Sequence, residues 1–324
     1  MKISIVIPVF KVADFIGKCI ESVANQDYEH LEVILVDDAS PDNSIDIAVD
    51  IINASCRSEI FKIVRHESNR GLSAARNSGI ERASGDFLYF LDSDDTLPER
   101  NTISSLADCI ADADIVIGNY RGILLDRGET YVSKYNIKCM LEGESLIRAF
   151  VKGDVPITAW NKLISRKYFD DVMRFKEGIL NEDELFSYQL LFMNPRVAMT
   201  GTVTYNYNIR SGSIMTTFNI NRLLSPIIVY EETIKAYKNI GGGNTLILIN
   251  LDHFAFRRHV DIVRSGVDEK KKYELYARLS DAQRGIKGVG KMRYLYNCHL
   301  FMPKFLGFRV MKIIANRYVK SRNL

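Results

Sequence analysis

Residues 87–95 read Phe-Leu-Tyr-Phe-Leu-Asp-Ser-Asp-Asp, so five apolar residues give way at once to three carboxylates in four positions. The apolar run has the length of a buried strand, and the carboxylates stand where that strand would end. We call Asp92, Asp94 and Asp95 the acidic group. Like charges this close repel one another, so a fold tolerates them only with compensation. A divalent cation is the usual compensator, and a helix-capping turn is the alternative.

Apolar runs and helical spacings alternate on both sides of this stretch. We predict strands at 3–9, 31–36, 61–64, 87–91 and 114–118, with helices at 12–25, 40–52, 73–83 and 99–111. Short apolar strands separated by helices predict an α/β fold with a parallel sheet covered on both faces. Ligands of such sheets bind beyond the carboxyl ends of the strands. Asp37-Asp38 and the acidic group both fall there.

The C-terminal part differs in pattern and charge. Composition shifts near residues 215–225 from α/β to all-α, so we predict two regions, 1–218 and 219–324. Residues 255–324 hold 17 Lys/Arg against 5 Asp/Glu, whereas residues 1–254 hold 26 against 35. A basic tail suits an anionic partner such as a lipid surface, and a solvated helix face is the alternative.

Several classes of protein are excluded or disfavoured. The 324 residues carry five dispersed cysteines and no Cys-x-x-Cys pair, which argues against zinc-ribbon and thioredoxin-like sites. The histidines are scattered without metal-ligand spacing. No run reaches the ~18 apolar residues of a membrane-spanning helix, and no signal peptide is evident. We expect a soluble or peripheral protein with reduced thiols.

A third segment completes the predicted site. Residues 69–77 read Asn-Arg-Gly-Leu-Ser-Ala-Ala-Arg-Asn and open a helix. Gly71 permits close approach of a backbone, the helix start favours phosphate, and the arginines add positive charge. A nucleotide diphosphate with a metal ion could span this segment, Asp37-Asp38 and the acidic group.

Four motifs, taken in order, resemble glycosyltransferase family 2, whose members have the GT-A fold. They are residues 4–10 (Ser-Ile-Val-Ile-Pro-Val-Phe), 36–44 (Val-Asp-Asp-Ala-Ser-Pro-Asp-Asn-Ser), 69–79 and 90–95. Weaker similarity continues to about residue 215, and the basic tail loosely resembles bacterial capsule and exopolysaccharide transferases. The resemblance implies a Rossmann-like, doubly wound, mostly parallel sheet that binds a nucleotide sugar in residues 1–218. A helical, basic C-terminal region follows in residues 219–324.

The resemblance also assigns roles to matching positions. The residues implied to bind the nucleotide sugar are Pro8, Phe10, Asp38, Arg70, Arg76, Asp92, Ser93, Lys162, Arg210 and Ser213. Among them, Pro8 and Phe10 would line the base pocket, Asp38 would contact a uracil, and Asp92 would face the ribose. Asp94 would ligate Mn²⁺ or Mg²⁺ at the diphosphate.

Further roles concern the leaving group, the acceptor and the base. Lys162, Arg210 and Ser213 would close over the diphosphate. Trp160, the sole tryptophan, would stack on an acceptor sugar, with a packing role as the alternative.

In the run 181–186 the resemblance makes Asp183 the catalytic base. Glu182 and Asp183 are neighbours on a predicted helix and point about 100° apart, so they are not the flanking carboxyl pair of a hydrolase. One is then the base, and the other caps the helix or supports it. Glu184 is a rival base.

These inferences predict an inverting glycosyltransferase that moves a sugar from a nucleotide-sugar donor, expected to be a UDP-sugar, to a glycan acceptor. Family analogy adds surface polysaccharide synthesis, a lipid-linked acceptor and a place at the cytoplasmic face of the plasma membrane. The alternatives are a nucleotidyltransferase that forms nucleotide sugars and a non-catalytic nucleotide-binding scaffold. The first would want a glycine-rich basic loop after the first strand, and residues 8–12 offer none. We expect no nucleic-acid partner, and a homo-oligomer stays open.

Overall fold

The computed structural model describes residues 1–133, 135, 140–170, 173–210, 220–284 and 308. Two compact units divide the chain. The sheet unit comprises residues 1–178 and 193–217, and the helical unit comprises residues 179–192 and 218–324. The segment 179–192, predicted to lie in the first region, thus groups with the C-terminal helices.

The first half of the sheet unit alternates strands and helices in the predicted order. Its elements are β1 (Ile3–Val9), α1 (Ala13–Ala24), β2 (Leu31–Asp37), α2 (Ser44–Ala54), β3 (Phe61–Arg65), α3 (Leu72–Arg82), β4 (Phe87–Phe90), α4 (Thr102–Ala107) and β5 (Ile115–Leu124). Every residue of β1, β2 and β4 is buried. Burial along whole strands is expected where helices cover both faces of a parallel sheet. The predicted α/β fold is confirmed.

The rest of the sheet unit adds one helix and four strands, and the sequence pattern does not reveal the first three of these strands. They follow as β6 (Glu129–Val132), β7 (Met140–Leu141), α5 (Gly143–Lys152), β8 (Lys162–Ser165) and β9 (Val197–Ile209). The sheet order is β3-β2-β1-β4-β8-β5-β9-β7, and β6 pairs with β5. Among the described strands β6, β7 and β8 run antiparallel to their neighbours, and the other six point one way.

The central strands determine where a ligand can bind. β1 lies between β2 and β4 and runs parallel to both, so their carboxyl ends share one edge of the sheet. Asp37-Asp38 ends β2, and the acidic group follows β4 one residue after its end. The two acidic segments therefore flank the end of β1, as the strand pattern predicts.

The helical unit contains α6 (Glu182–Phe192), α7 (Asn221–Asn239), α8 (Thr245–Arg264) and α9 (Glu269–Arg284). Apolar residues of α6 are buried, and the Ser225 hydroxyl in α7 accepts a hydrogen bond from the Leu180 backbone at 2.9 Å. These contacts explain why α6 belongs with the helices. Within the described residues, no helix has the length and apolar character needed to span a membrane.

Candidate active site

Asp92 is held by a buried arginine. The Arg76 guanidinium, in α3, is 1% exposed and donates through Nη2 to Asp92 Oδ1 at 2.8 Å. Its charge also lies 5.1 Å from the centre of the Phe175 ring. Small residues bring α3 close to the sheet: a side chain at Gly79 would overlap Val6 of β1. Arg76 thereby orients Asp92, and contact between Arg76 and a nucleotide stays a prediction.

Asp94 is the acidic-group residue with the most open carboxylate. Its side chain is half-buried, and Oδ2 lies 3.3 Å from Nη2 of Arg210, whose guanidinium stacks over Phe15. In the described part of the chain, no cluster of three His, Cys, Asp or Glu side chains could enclose a metal ion. Mg²⁺ and Mn²⁺ commonly take one or two carboxylates and complete their shell from substrate phosphates and water. The donor set at Asp94 fits that arrangement.

Asp95 anchors the acidic group to β9. Its carboxylate is buried and accepts hydrogen bonds from the Tyr205 hydroxyl and the Asn208 backbone, both at 2.7 Å. Burial raises the pKa of Asp95, and the charges of Asp94 and Asp92 raise it further. Asn208 also donates to the Asp94 carbonyl at 2.6 Å. The turn after β4 is thus fixed by a strand more than a hundred residues away.

Asp38 organises the loop before α3. Its carboxylate accepts the backbone N–H groups of Arg70 at 2.8 Å and Gly71 at 2.7 Å, and it lies 2.7 Å from Nδ1 of His66. Nε2 of His66 in turn lies 2.8 Å from the Ser78 hydroxyl. Gly71 has φ = 89°, which favours glycine. Contact of Asp38 with a uracil stays a prediction.

The loops after β1 and β2 are joined to each other. The Ser40 hydroxyl accepts the Lys11 backbone N–H at 2.8 Å and donates to Asp42 at 2.6 Å. Burial acts to raise the pKa of Asp42, but hydrogen bonds from Ser40 and Ser44 lower it to about 2. Just before Lys11 in the sequence, Pro8 is buried near the end of β1 and Phe10 is exposed. An exposed aromatic ring at the ligand edge is compatible with the predicted base pocket.

The remaining predicted ligand residues lie in varied surroundings. Arg70 is exposed and pairs with Glu177 at 3.4 Å. Lys162, in β8, is buried and donates to the Thr158 backbone carbonyl. Ser93 is buried between the carboxylates of the acidic group. Ser213 lies outside the described residues, so its role stays a prediction.

The predicted catalytic carboxylates lie in the helical unit, in the first turn of α6. Asn181, with φ = 61°, precedes the helix, and Glu182, Asp183 and Glu184 follow. Negative charge is favoured at a helix N-terminus. Glu182 is buried, and Asp183 and Glu184 are half-buried. Burial raises the pKa of Glu184, while Arg258 and Arg257 oppose that rise.

Some residues that shape the site escaped the sequence analysis. Tyr205 and Asn208 hold Asp95, and His66 supports Asp38. The residues 205–208 alternate aromatic and amide side chains, a pattern more typical of a strand than of a binding site. Nothing local links that strand to the acidic group, since the pairing depends on the parallel contact of β9 with β5.

Comparisons with known proteins identify similar chains. The family model "Glycosyl transferase family 2" matches residues 4–173. EpsH of Bacillus subtilis, named as a glycosyltransferase, is 33% identical over 234 residues, which cover 71% of this chain and 67% of EpsH. Glycosyltransferase GlyA of Streptococcus pneumoniae is 29% identical over 74% of this chain, and the match spans only 35% of GlyA.

A solved structure shares the fold. Residues 1–349 of TarS from S. aureus, crystallised with UDP-GlcNAc, superpose with a TM-score of 0.74 at 22% identity. The superposition covers 99% of this chain and 91% of that chain.

Proposed function

The chain belongs to glycosyltransferase family 2, and on that premise we propose that it transfers a sugar from a UDP-sugar to a hydroxyl of a glycan acceptor, with inversion. The observation that carries the proposal is the acidic group at the carboxyl end of β4, in which Arg76 and Asn208 orient the carboxylates around a half-buried Asp94. Asp38 and the backbone of Gly71 lie at the same sheet edge. A nucleotide diphosphate matches this combination of carboxylates, arginines and a helix start.

Structural neighbours support the choice of uridine. TarS was crystallised with UDP-GlcNAc and with UDP. A more distant neighbour, a mannosyltransferase from Pyrobaculum calidifontis with a TM-score of 0.54, was crystallised with GDP-Man and Mn²⁺. A guanosine donor is therefore the alternative to be tested.

Asp94 is the residue we assign to a divalent cation, Mn²⁺ or Mg²⁺. When bound, such a cation offsets the negative charge that the leaving diphosphate gains. Arg210, which pairs with Asp94, adds positive charge at the same place. Arg76 supplies rigidity, because a buried and stacked guanidinium fixes Asp92 in one orientation.

Transfer requires a base for the acceptor hydroxyl. In a single displacement, the bond between the anomeric carbon and the phosphate oxygen breaks as the bond to the acceptor oxygen forms. The acceptor proton passes to a carboxylate, and UDP leaves. The resemblance assigns this carboxylate to Asp183. Glu184 is the second candidate, because burial raises its pKa toward the range useful for proton transfer.

The biological setting rests on relatives. ExoO of Rhizobium meliloti, 27% identical over 72% of this chain, is named a succinoglycan biosynthesis protein. We place this chain in the synthesis of a surface polysaccharide at the cytoplasmic face, with a glycan or lipid-linked glycan as acceptor. The basic segment 300–324, proposed to meet an anionic membrane surface, lies outside the described residues apart from Phe308. Packing of this segment against another part of the protein is the alternative.

A matched pair of variants tests the proposal. We expect Asp183→Asn to lower sugar transfer about 100-fold or more while stabilisation of the protein by UDP with Mn²⁺ is retained. The rate of sugar transfer by Glu184→Gln should stay within a few-fold of the wild-type rate. Release of UDP from UDP-N-acetylglucosamine and UDP-glucose measures both variants.

Three outcomes would change the account. Loss of sugar transfer in Glu184→Gln alone would show that Glu184, and not Asp183, is the base. Wild-type rates in both variants would contradict the proposed base. No transfer by the wild type from any nucleotide sugar would favour the scaffold alternative.

A further inference from the structure

Aromatic side chains from three strands gather beside the acidic group. Tyr120 comes from β5, Tyr131 from β6 and Tyr207 from β9, and we call these three the tyrosine platform. Beneath them lie Trp160, from the segment before β8, and Tyr205. None of the three platform tyrosines is among the residues proposed above to bind the donor or to transfer a proton.

Trp160 supports the platform from below. Its indole stacks on Tyr205, with ring centres 4.4 Å apart and planes inclined by 20°, and on Tyr207 at 5.2 Å and 21°. The edge of Tyr120 meets the same indole at 5.2 Å and 88°. Because Trp160 is only 8% exposed, its faces are already occupied by protein. A sugar that approaches from solvent meets the tyrosines first.

The platform is open to solvent through Tyr131. This ring is 44% exposed, whereas Tyr120 and Tyr207 are half-buried. The pairing of β5 with β6 places Tyr131 directly opposite Gly122, and any side chain at Gly122 would overlap the ring. Glycine at that position therefore lets the ring lie against the backbone of β5.

The three rings combine apolar faces with polar edges. Tyr120 meets Tyr131 at 6.1 Å and 79°, and meets Tyr207 at 6.2 Å and 88°. Burial raises the pKa of Tyr120, and a hydrogen bond with Tyr131 raises it further, which keeps the hydroxyl protonated. A pyranose has the matching character, with C–H groups on its faces and hydroxyls at its rim. Tyrosine suits such a ligand because its apolar ring carries a polar tip.

The platform is continuous with the acidic group. Tyr207 lies on β9 between Tyr205 and Asn208, which hold Asp95. The charges of Asp95, Asp94 and Asp92 reach Tyr207 strongly enough to raise its pKa, after the larger effect of burial. A sugar on the platform therefore lies beside the acidic group, where we assign the cation that accompanies the donor diphosphate.

We propose that Tyr120, Tyr131 and Tyr207 bind a pyranose ring of the glycan acceptor. The inference rests on the proposed function. The donor sugar is a single ring attached to its diphosphate, whereas an acceptor glycan continues outward from the reacting hydroxyl. Every residue of β6 is exposed, so the platform ends where a longer saccharide could extend into solvent.

Kinetics give the first test. With UDP-N-acetylglucosamine as donor, UDP release is measured against increasing methyl glycosides of glucose, galactose and N-acetylglucosamine as surrogate acceptors. Tyr131→Ala should raise the acceptor KM between about threefold and tenfold and leave the donor KM and kcat unchanged. Gly122→Ala keeps Tyr131 but displaces its ring, so this variant should also raise the acceptor KM. The acceptor KM of Tyr131→Phe should lie nearer the wild-type value. Tyr273→Ala is the matched control, because Tyr273 is a 59% exposed tyrosine in the helical unit.

Fluorescence gives a readout that needs no turnover. Trp160 is the chain's only tryptophan, so its emission reports on the platform alone. At least one of the glycosides should shift this emission saturably in the wild type and fail to do so in Tyr131→Ala, with sorbitol as an acyclic control.

The outcomes separate this inference from the proposed function. A Tyr131→Ala variant with a raised donor KM and an unchanged acceptor KM would overturn the acceptor assignment and leave the proposed function intact. An unchanged emission with every glycoside would also overturn it. A glycoside-dependent emission change in a protein that transfers no sugar would instead support the platform and contradict the proposed function.

Discussion

Arg76 of the sheet unit and His259 of the helical unit are both fully buried, but their burial is accommodated in opposite ways. In the sheet unit, Arg76 is fully buried and paired with Asp92, so a charge is balanced by a charge. In the helical unit, His259 of α8 is equally buried, packs against Tyr276 at 4.6 Å, and forms no ion pair among the described residues. Burial lowers the pKa of His259 to about 3, although the nearby Gln283 side chain acts to raise it. Burial thus leaves Arg76 charged and paired, whereas it favours the neutral form of His259.

This difference is consistent with separate tasks. A site for a charged nucleotide needs carboxylates and guanidinium groups held in fixed orientations, and their mutual pairing compensates for burial. The surroundings of His259 offer no ion pair among the described residues, so its neutral form is the more stable one there. We therefore expect charge substitutions to affect the sheet unit most, and pH to affect the helical unit.

The largest effect should follow removal of the buried charge in the sheet unit. Arg76→Met removes the ion pair with Asp92 and should lower the free energy of unfolding by about 3 kcal/mol. Stabilisation by UDP with Mn²⁺ should also be lost, because Asp92 is no longer oriented. Denaturant unfolding and thermal shifts measure the two effects.

Arg210→Met is the matched control for stability. This arginine pairs with Asp94 on the half-exposed side of the acidic group, so its loss should change the free energy of unfolding by about 1 kcal/mol or less. Equal destabilisation by the two variants would remove the distinction between a buried positioning arginine and a solvent-facing one.

A smaller effect should appear in the helical unit as pH falls. The folded-state pKa of His259, about 3, lies below its unfolded value of ~6.5, so the unfolded chain takes up a proton first. The stability from this residue is complete above about pH 6.5 and is lost as the pH falls toward 3. Between about pH 7 and pH 5 the loss should be about 2 kcal/mol.

In His259→Leu, this part of the pH dependence of the free energy of unfolding should be lost. His30 is exposed, so His30→Gln should retain it. Urea unfolding followed by the helical circular dichroism signal measures both variants. If the free energy of unfolding changes equally with pH in the wild type and in both variants, His259 is not the group responsible.

The sequence pattern predicted what depends on neighbouring residues. The alternation of β1 through β5 and the position of the acidic group follow from local periodicity. β8 was missed because four residues inserted antiparallel between β4 and β5 carry no alternation of their own. β6 was missed because all of its residues are exposed.

Contacts between residues far apart in the chain could not be predicted from the sequence pattern. The Tyr205 hydroxyl reaches Asp95 over 110 positions in the chain, and only the contact of β9 with β5 brings them together. The grouping of α6 with the helical unit likewise depends on which apolar face it buries. Motifs therefore name the candidate ligand residues, whereas the residues that hold them in place come only from the structure.

The most direct test of the central claim is thermal stabilisation by UDP and by GDP, each with and without Mn²⁺, in the wild type and in Asp94→Asn. A binding-competent site raises the melting temperature as ligand increases. The account predicts a shift with UDP that grows when Mn²⁺ is added, little shift with GDP, and loss of the Mn²⁺-dependent part in Asp94→Asn. An equal UDP shift with and without Mn²⁺, or a shift with GDP alone, would contradict the assignment of the acidic group to a metal-bridged UDP-sugar.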